Sequence, residues 1–228
     1  DLSGILNVSM DTVRRDVKEL DKFNKLKKVH GGAVSNGFNI ITDRSRDIYE
    51  QASKTKIAQK GISLLKNGDV VLISGGSTNL EFAKLIPKRM DLTFFTPSLP
   101  MAIELLDSIS SRYDVFFVGG KLSRGSQLAT GGSSINILSE ITADICFLGT
   151  GYLDVDKGIT ETDWEIAQMK KAMIYASKRV IALTISKKLN TFNRYKIYNI
   201  KGLDTLVTEL DPDNVSLDKY RAQNIDIL

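Results

Sequence analysis

The stretch DVVLISGGSTNLEFAKL, residues 69–85, decides how the larger part of the chain folds. Its opening, DVVLI, is apolar without alternation, which marks a strand covered on both faces rather than one with a wet side. SGGST (74–78) follows at once, and a helix is expected over 79–86. The same unit recurs outward from it. Strands are expected at 92–96 (LTFFT), 114–118 (DVFFV), 144–148 (DICFL), 179–184 (RVIALT) and 205–208 (TLVT). Helices are expected over 99–107, 134–141 and 163–177, and a short helix and strand close the chain. Ahead of residue 69, SKTKIAQKGISLLKNGD reads as an amphipathic helix stopped at Gly68. Apolar strands alternating with helices predict an α/β fold with a parallel sheet between helical layers.

In such sheets ligands bind outside the carboxyl ends of the strands. The loops there are SGGST (74–78), TPSLP (96–100), GGKLSRG (119–125) with TGGSS (130–134), GTGYLDVDKGITETD (149–163) and TISKKLN (184–190). They are rich in Gly, Ser and Thr, with Lys121, Arg124 and Lys187 interspersed. The opposite ends carry plain charged connections such as KNGD and KRMD. Small residues let backbone amides approach an anion, and a helix N-terminus favours one. SGGST matches neither GxxxxGK[ST] nor GxGxxG, so neither a nucleoside triphosphate nor a dinucleotide is implied. Helix capping accounts for part of this composition. Thr78 with Glu81 and Thr162 with Glu165 have capping-box spacing, and Ser98 and Ser133 are good N-caps. Capping does not explain glycine pairs at 75–76, 119–120 and 131–132, with Gly149 and Gly151, all at one edge.

Of 228 residues, one is cysteine, Cys146, set in an apolar run where a reduced thiol is expected. No signal-peptide pattern opens the chain and no apolar run reaches membrane-span length, so a cytoplasmic setting is expected. The formal charge is +4, and its distribution matters more than its size. Residues 14–28 hold seven basic and three acidic side chains, an excess equal to that of the whole chain. That segment begins in LNVSMDTVRRDVKEL (6–20). Ser9 is an expected N-cap for a helix over 10–22, with Val8 and Val13 at staple spacing and Val13, Val17 and Leu20 in one stripe. DLSGILN before it reads as the end of another helix with Asn7 at the cap. Two helices about three residues apart follow the helix-turn-helix plan, in which the start of the second helix reaches base edges. LKKVH (26–30), closed by Gly31-Gly32, reads as a basic wing strand on the phosphate backbone. The DNA-contacting candidates are Ser9, Thr12, Arg14, Arg15, Lys18, Lys27, Lys28 and His30.

LNVSMDTVRRDVKEL…LKKVHGGAV resembles the signature of DeoR-type transcriptional repressors, densely over residues 5–34 and more loosely from about 55 to 210. The resemblance implies an N-terminal winged helix-turn-helix and a C-terminal sensor with a Rossmann-like, ribose-phosphate-isomerase-like sheet. It implies a regulator of carbohydrate genes controlled by a phosphorylated sugar or sugar acid, with operator DNA as partner and a homodimer or homotetramer as its form. The expected organisation is 1–34 for DNA binding, 35–54 as linker and 55–228 as sensor. A winged helix needs a preceding helix, so the chain is expected to be N-terminally truncated. The expected effector residues are Gly75, Gly76, Ser77, Thr78, Ser98, Gly120, Lys121, Gly149, Gly151, Glu161 and Lys187. The chain departs from the family pattern in ISGGST for DSGTT, in Pro97 within TNSL, and in Thr184-Ile185 where an aspartate precedes the SK pair.

An isomerase-like enzyme is the alternative. It needs a carboxylate base beside the anchored substrate, and Asp154, Asp156, Glu161, Asp163 and Glu165 are the candidates. No His/Cys cluster suggests a metal, no Ser/His pair forms a triad, and no cofactor is expected. The expectation is a regulator, not an enzyme.

Overall fold

Helix α1 (Leu2–Leu6) stops at Asn7, whose backbone is left-handed (φ 52°), and the Val8 amide closes back on the Ser3 carbonyl at 3.1 Å. That is a helix C-terminal cap, and it frees the chain to turn. Helix α2 (Met10–Lys22) starts where the Ser9 hydroxyl accepts the Thr12 amide at 3.1 Å. Val13 and Val17 are buried beneath it, while Leu20, the third member of the stripe, is exposed. A hairpin follows: β1 (Leu26–Val29) pairs antiparallel with β2 (Gly32–Ser35), with Val29 opposite Gly32 and Gly31 at φ 80° in the turn. Two helices and a hairpin form one compact unit, Asp1–Thr42, and Asp43–Leu228 form another. The computed structural model describes residues 2–22, 26–29, 31–35, 49–108 and 112–228. His30 and most of the expected linker lie outside them.

The second unit runs α3 (Gln51–Ile62), β3 (Val70–Ile73), α4 (Ser77–Leu85), β4 (Leu92–Thr96), α5 (Leu99–Asp107) and β5 (Tyr113–Phe117). A small hairpin, β6 (Lys121–Leu122) and β7 (Ala129–Thr130), leads into α6 (Gly132–Ser139) and β8 (Ile145–Gly149). Next come β9 (Tyr152–Asp154), β10 (Gly158–Glu161), α7 (Trp164–Tyr175), β11 (Val180–Leu183), β12 (Tyr195–Tyr198), β13 (Thr205–Val207), α8 (Asp218–Arg221) and β14 (Asp226–Ile227).

Seven strands make one parallel sheet in the order β14-β13-β11-β8-β3-β4-β5. The chain leaves β3 in one direction through β4 and β5, then returns to lay β8 on the other side of β3. The topological switch point therefore falls between β3 and β8, the place where doubly wound sheets bind ligands. Alternation along β8 shows why its residues are all apolar. Cys146 and Leu148 enter a core with Leu138, Ala167 and Met173, while Ile145 and Phe147 enter the opposite core with Ile57, Phe82 and Met101. Helices α6 and α7 thus cover one face and α3, α4 and α5 the other, the three-layer arrangement that the apolar strands predict.

The structure departs from expectation in four places. Helix α3 begins at Gln51, inside the stretch read as linker. The fourth strand-end loop is largely a hairpin: β9 pairs with β10, and β12 joins them in a second, antiparallel sheet. These strands are three or four residues long and interrupted by Asp, Lys and Gly, too brief to register as a period. Asp163, not Thr162, caps α7, accepting the Ile166 amide at 3.1 Å. Glycines rather than Thr78 and Ser133 precede α4 and α6, namely Gly76 (φ 115°) and Gly131 (φ 98°). Ser98 does cap α5.

Candidate functional site

Backbone strain and close packing shape the switch point. The loop after β3 passes so near β8 that a Cβ on Gly149 would sit 2.4 Å from the Gly75 carbonyl oxygen. A Cβ on Gly75 would meet the Ser98 hydroxyl at 2.8 Å. Asn79, on the first turn of α4, locks this approach. Its buried amide donates to the Ser74 carbonyl at 2.9 Å and to the Phe147 carbonyl at 3.1 Å. The Gly149 amide in turn donates to the Ser74 hydroxyl at 2.7 Å. Ser77 and Thr78, at the N-terminus of α4, are buried alongside. Only glycine at 75 and 149 permits the fit, which is why both stand where the sequence places them.

Two lysines are buried in this unit and a third, Lys188, is half-buried, and none was among the residues expected from sequence. Lys170 of α7 pairs with Glu161 at 2.7 Å, both side chains being about 95% buried. Burial works to raise the Glu161 carboxyl, but the charge and hydrogen bond of Lys170 and two donors from Thr162 outweigh it and hold the group below its usual range. Lys54 of α3 donates to the Tyr49 carbonyl, and burial lowers its amine against the pull of Glu81 and Glu50. Lys188 ends a single 3-10 turn (Ser186–Lys188) after β11 and donates to the Thr150 carbonyl at 2.9 Å. Burial, then the neighbouring Lys170 and Lys54, push its amine down to about 7, with Glu161 opposing.

A sequence signal for two of them exists. Lys54 lies with Ile57, Ala58 and Gly61 on the buried stripe of α3, and Lys170 with Ile166, Ala167, Met173 and Ile174 on that of α7. A lysine at a core position of a helix needs a partner, because an unpaired buried charge is too costly. Three buried polar atoms nearby have no partner among the described residues: Asn79 Oδ1, Thr150 Oγ1 and Thr184 Oγ1. They mark the ends of β3, β8 and β11, side by side in the sheet.

The remaining expected residues are distributed as follows. Gly151 is buried just beyond β8. Gly120 is fixed by close packing, since a Cβ there would overlap the Ser134 hydroxyl at 2.1 Å. Lys121 is exposed on β6. Lys187 points elsewhere than expected: it is exposed, pairs with Glu50 and lies over the Tyr49 ring at 5.4 Å. The turn that exposes Lys187 leaves Lys188 beside it half-buried. Glu161 is no open carboxylate, since both oxygens are engaged. The other candidate bases have structural roles or lie exposed. Asp154 accepts two amides of its own turn, Asp163 caps α7, and Asp156 and Glu165 are exposed.

In the first unit, Arg14 and Arg15 are exposed on the first turns of α2, and Arg14 is bridged to Asp11 at 3.2 Å. Thr12 shares a hydrogen bond with Ser9 at 2.9 Å, and Lys18 and Lys28 are exposed. Lys27 lies in β1. An exposed basic helix face above a hairpin is what a helix-turn-helix presents to DNA.

A basic helix-turn-helix unit and a doubly wound unit with lysines clustered near its switch point together define a ligand-responsive transcriptional regulator. A family model described as the DeoR-like helix-turn-helix domain matches residues 1–37, and one described as the DeoR C-terminal sensor domain matches residues 49–210. The chain belongs to the DeoR family. It is 30% identical over 214 residues to the HTH-type transcriptional regulator GolR of Listeria innocua, covering 92% of this chain and 82% of that one. It is 29% identical over 228 residues to the HTH-type transcriptional repressor GlcR of Bacillus subtilis, covering 98% and 86%. Among solved structures, eIF2B delta from Chaetomium thermophilum superposes with a TM-score of 0.50 at 14% identity, over 71% of this chain and 57% of that one. Ribose 5-phosphate isomerase A from Methanocaldococcus jannaschii gives 0.46 at 16% identity, over 62% and 55%. The chain thus spans little more than half of either of these proteins. The family and the relatives are DNA-binding regulators, not enzymes. Among the described residues no helix is long and apolar enough to cross a membrane.

Proposed function

We propose that this repressor binds a phosphorylated sugar at the β3/β8 switch point and couples its occupancy to operator binding by α2. The observation that carries the reading is the pairing of two chemistries in one crevice. Buried lysines and the amides of Gly75–Thr78 suit a phosphate, which needs cations and N–H donors. Asn79 Oδ1 is an unfilled acceptor, and the Thr150 and Thr184 hydroxyls are unfilled as well. Sugar hydroxyls complete such atoms, and leaving them unmade is costly. The names of relatives as repressors and the sensor family point the same way. A homodimer or homotetramer fits a two-fold operator, and a cytoplasmic setting fits the buried reduced Cys146.

Two measurements test the halves separately. In a thermal-shift panel of pentose and hexose phosphates with their unphosphorylated parents, one phosphorylated sugar raises the midpoint and its parent does not. At a hundred times the dissociation constant the stabilisation is about 2.7 kcal/mol. A panel without any shift defeats the sensor reading. In electrophoretic or anisotropy titrations of operator DNA, Arg14→Ala and Arg15→Ala each weaken binding by about 1–3 kcal/mol if they read bases. If both variants bind like the parent, α2 is not the reading helix.

A further inference from the structure

We propose that Lys188 contacts the effector's anionic group and that seating the anion draws a proton onto its amine, so that effector affinity follows pH across the neutral range. The inference rests on the reading of the β3/β8 crevice as an anion site. Its geometric basis is the convergence of three strand ends. The Lys188 ammonium nitrogen lies 2.9 Å from the Thr150 carbonyl, and Thr150 also supplies one of the unpartnered hydroxyls. The other is Thr184, four residues before Lys188 and at the end of β11, which pairs directly with β8. Lys188 is half-buried at this same edge.

Among the described residues, groups on three elements bear on the charge state of Lys188. Lys54 on α3 and Lys170 on α7 repel a proton there, and Glu161 at the end of β10 attracts one. Glu161 is already committed to Lys170 at 2.7 Å, so its pull is shared. Burial and the two lysines bring the Lys188 amine to about 7. A dianion close to the amine adds an opposite charge in a poorly solvated place, which favours the charged form. By linkage the change is reciprocal: the anion raises the amine's proton affinity, and the proton raises the anion's affinity. The sign follows. Below about pH 7 the amine is charged before the ligand arrives, and affinity is flat. Above it, each binding event must recruit a proton, and affinity falls by up to about tenfold per pH unit until the liganded amine itself loses its proton.

The test uses the whole chain and isothermal titration with two probes, inorganic sulfate and a hexose 6-phosphate. Sulfate does not titrate in this range, and a sugar phosphate has its second pKa near 6. At pH 8, in two buffers of different ionisation heat, the apparent binding enthalpy differs by an amount equal to nearly one proton taken up per ligand. Between pH 8 and 9 the affinity falls several-fold. Lys188→Arg, which keeps its charge, binds with a pH-independent affinity and no proton uptake. Equal enthalpies in both buffers and a flat affinity for the wild-type protein overturn the role of Lys188 while leaving the anion site in place. No binding of either probe at any pH overturns both. The wild-type titrations suffice by themselves if the arginine variant does not fold.

Discussion

Lys170→Met lowers the unfolding free energy of the sensor unit by about 3–5 kcal/mol, measured by urea or guanidinium denaturation. The size of the effect comes from what is left behind. Lys170 and Glu161 are both buried and 2.7 Å apart, and the substitution strands a carboxylate in the protein interior. The deficit is also pH-dependent with a definite sign. In the parent, Glu161 is held below its usual value of 4.5, so its contribution is present above that value and lost as pH falls through the depressed one. In the variant burial, which raises the carboxyl, is opposed mainly by the two Thr162 donors, and the deficit shrinks in acid as Glu161 takes up a proton. Adding Glu161→Gln removes the stranded charge and recovers much of the loss, because the pair is coupled. A single Lys170→Met variant within about 1 kcal/mol of the parent contradicts the burial of this pair.

Gly149→Ala abolishes the ligand-dependent thermal shift and lowers stability by about 2–3 kcal/mol. The added methyl would lie 2.4 Å from the Gly75 carbonyl oxygen and 3.2 Å from the Ser74 hydroxyl. The obstacle is backbone, so it cannot rotate aside; the β3 loop has to move. That loop presents the amides proposed for the phosphate, and Asn79 and the Gly149 amide hold its position. Gly132→Ala is the matched control. It opens α6 at the same edge, and a Cβ there meets nothing within 4 Å. It leaves both stability and the shift close to parental values. Loss of the shift in both variants, or in neither, contradicts the tight approach of β3 and β8 as the cause.

The two predictions also show what the sequence could and could not convey. The parallel sheet was legible because VVLI and ICFL are apolar at every position, a pattern only double-sided burial demands. The loop glycines were legible because closeness of backbones leaves no alternative residue. The buried charges were harder. Nothing in SKK distinguishes Lys187 from Lys188, since a 3-10 turn sets which side chain faces inward. Glu161 read as one acid among five in a loop because the β9–β10 hairpin is too short to show a strand period. Thr78 and Ser133 misled for a related reason: Gly76 and Gly131 take a backbone conformation that Ser and Thr avoid, and α4 and α6 start from them. Lys54 and Lys170 were visible in principle, as charges at core positions of amphipathic helices.

Cys146 gives the sheet a built-in clock. The chain's one thiol sits on the central strand β8, flanked by β3 and β11, and burial pushes it up to about 12. At neutral pH it is neither ionised nor within reach of an alkylating reagent while those strands stay paired. Its modification rate therefore counts the excursions in which the middle of the domain comes apart, set against the much faster breathing of edges and loops. The strand that ends at the ligand crevice is the same strand that carries the reporter, so the grip of a ligand on this protein is readable as elapsed time.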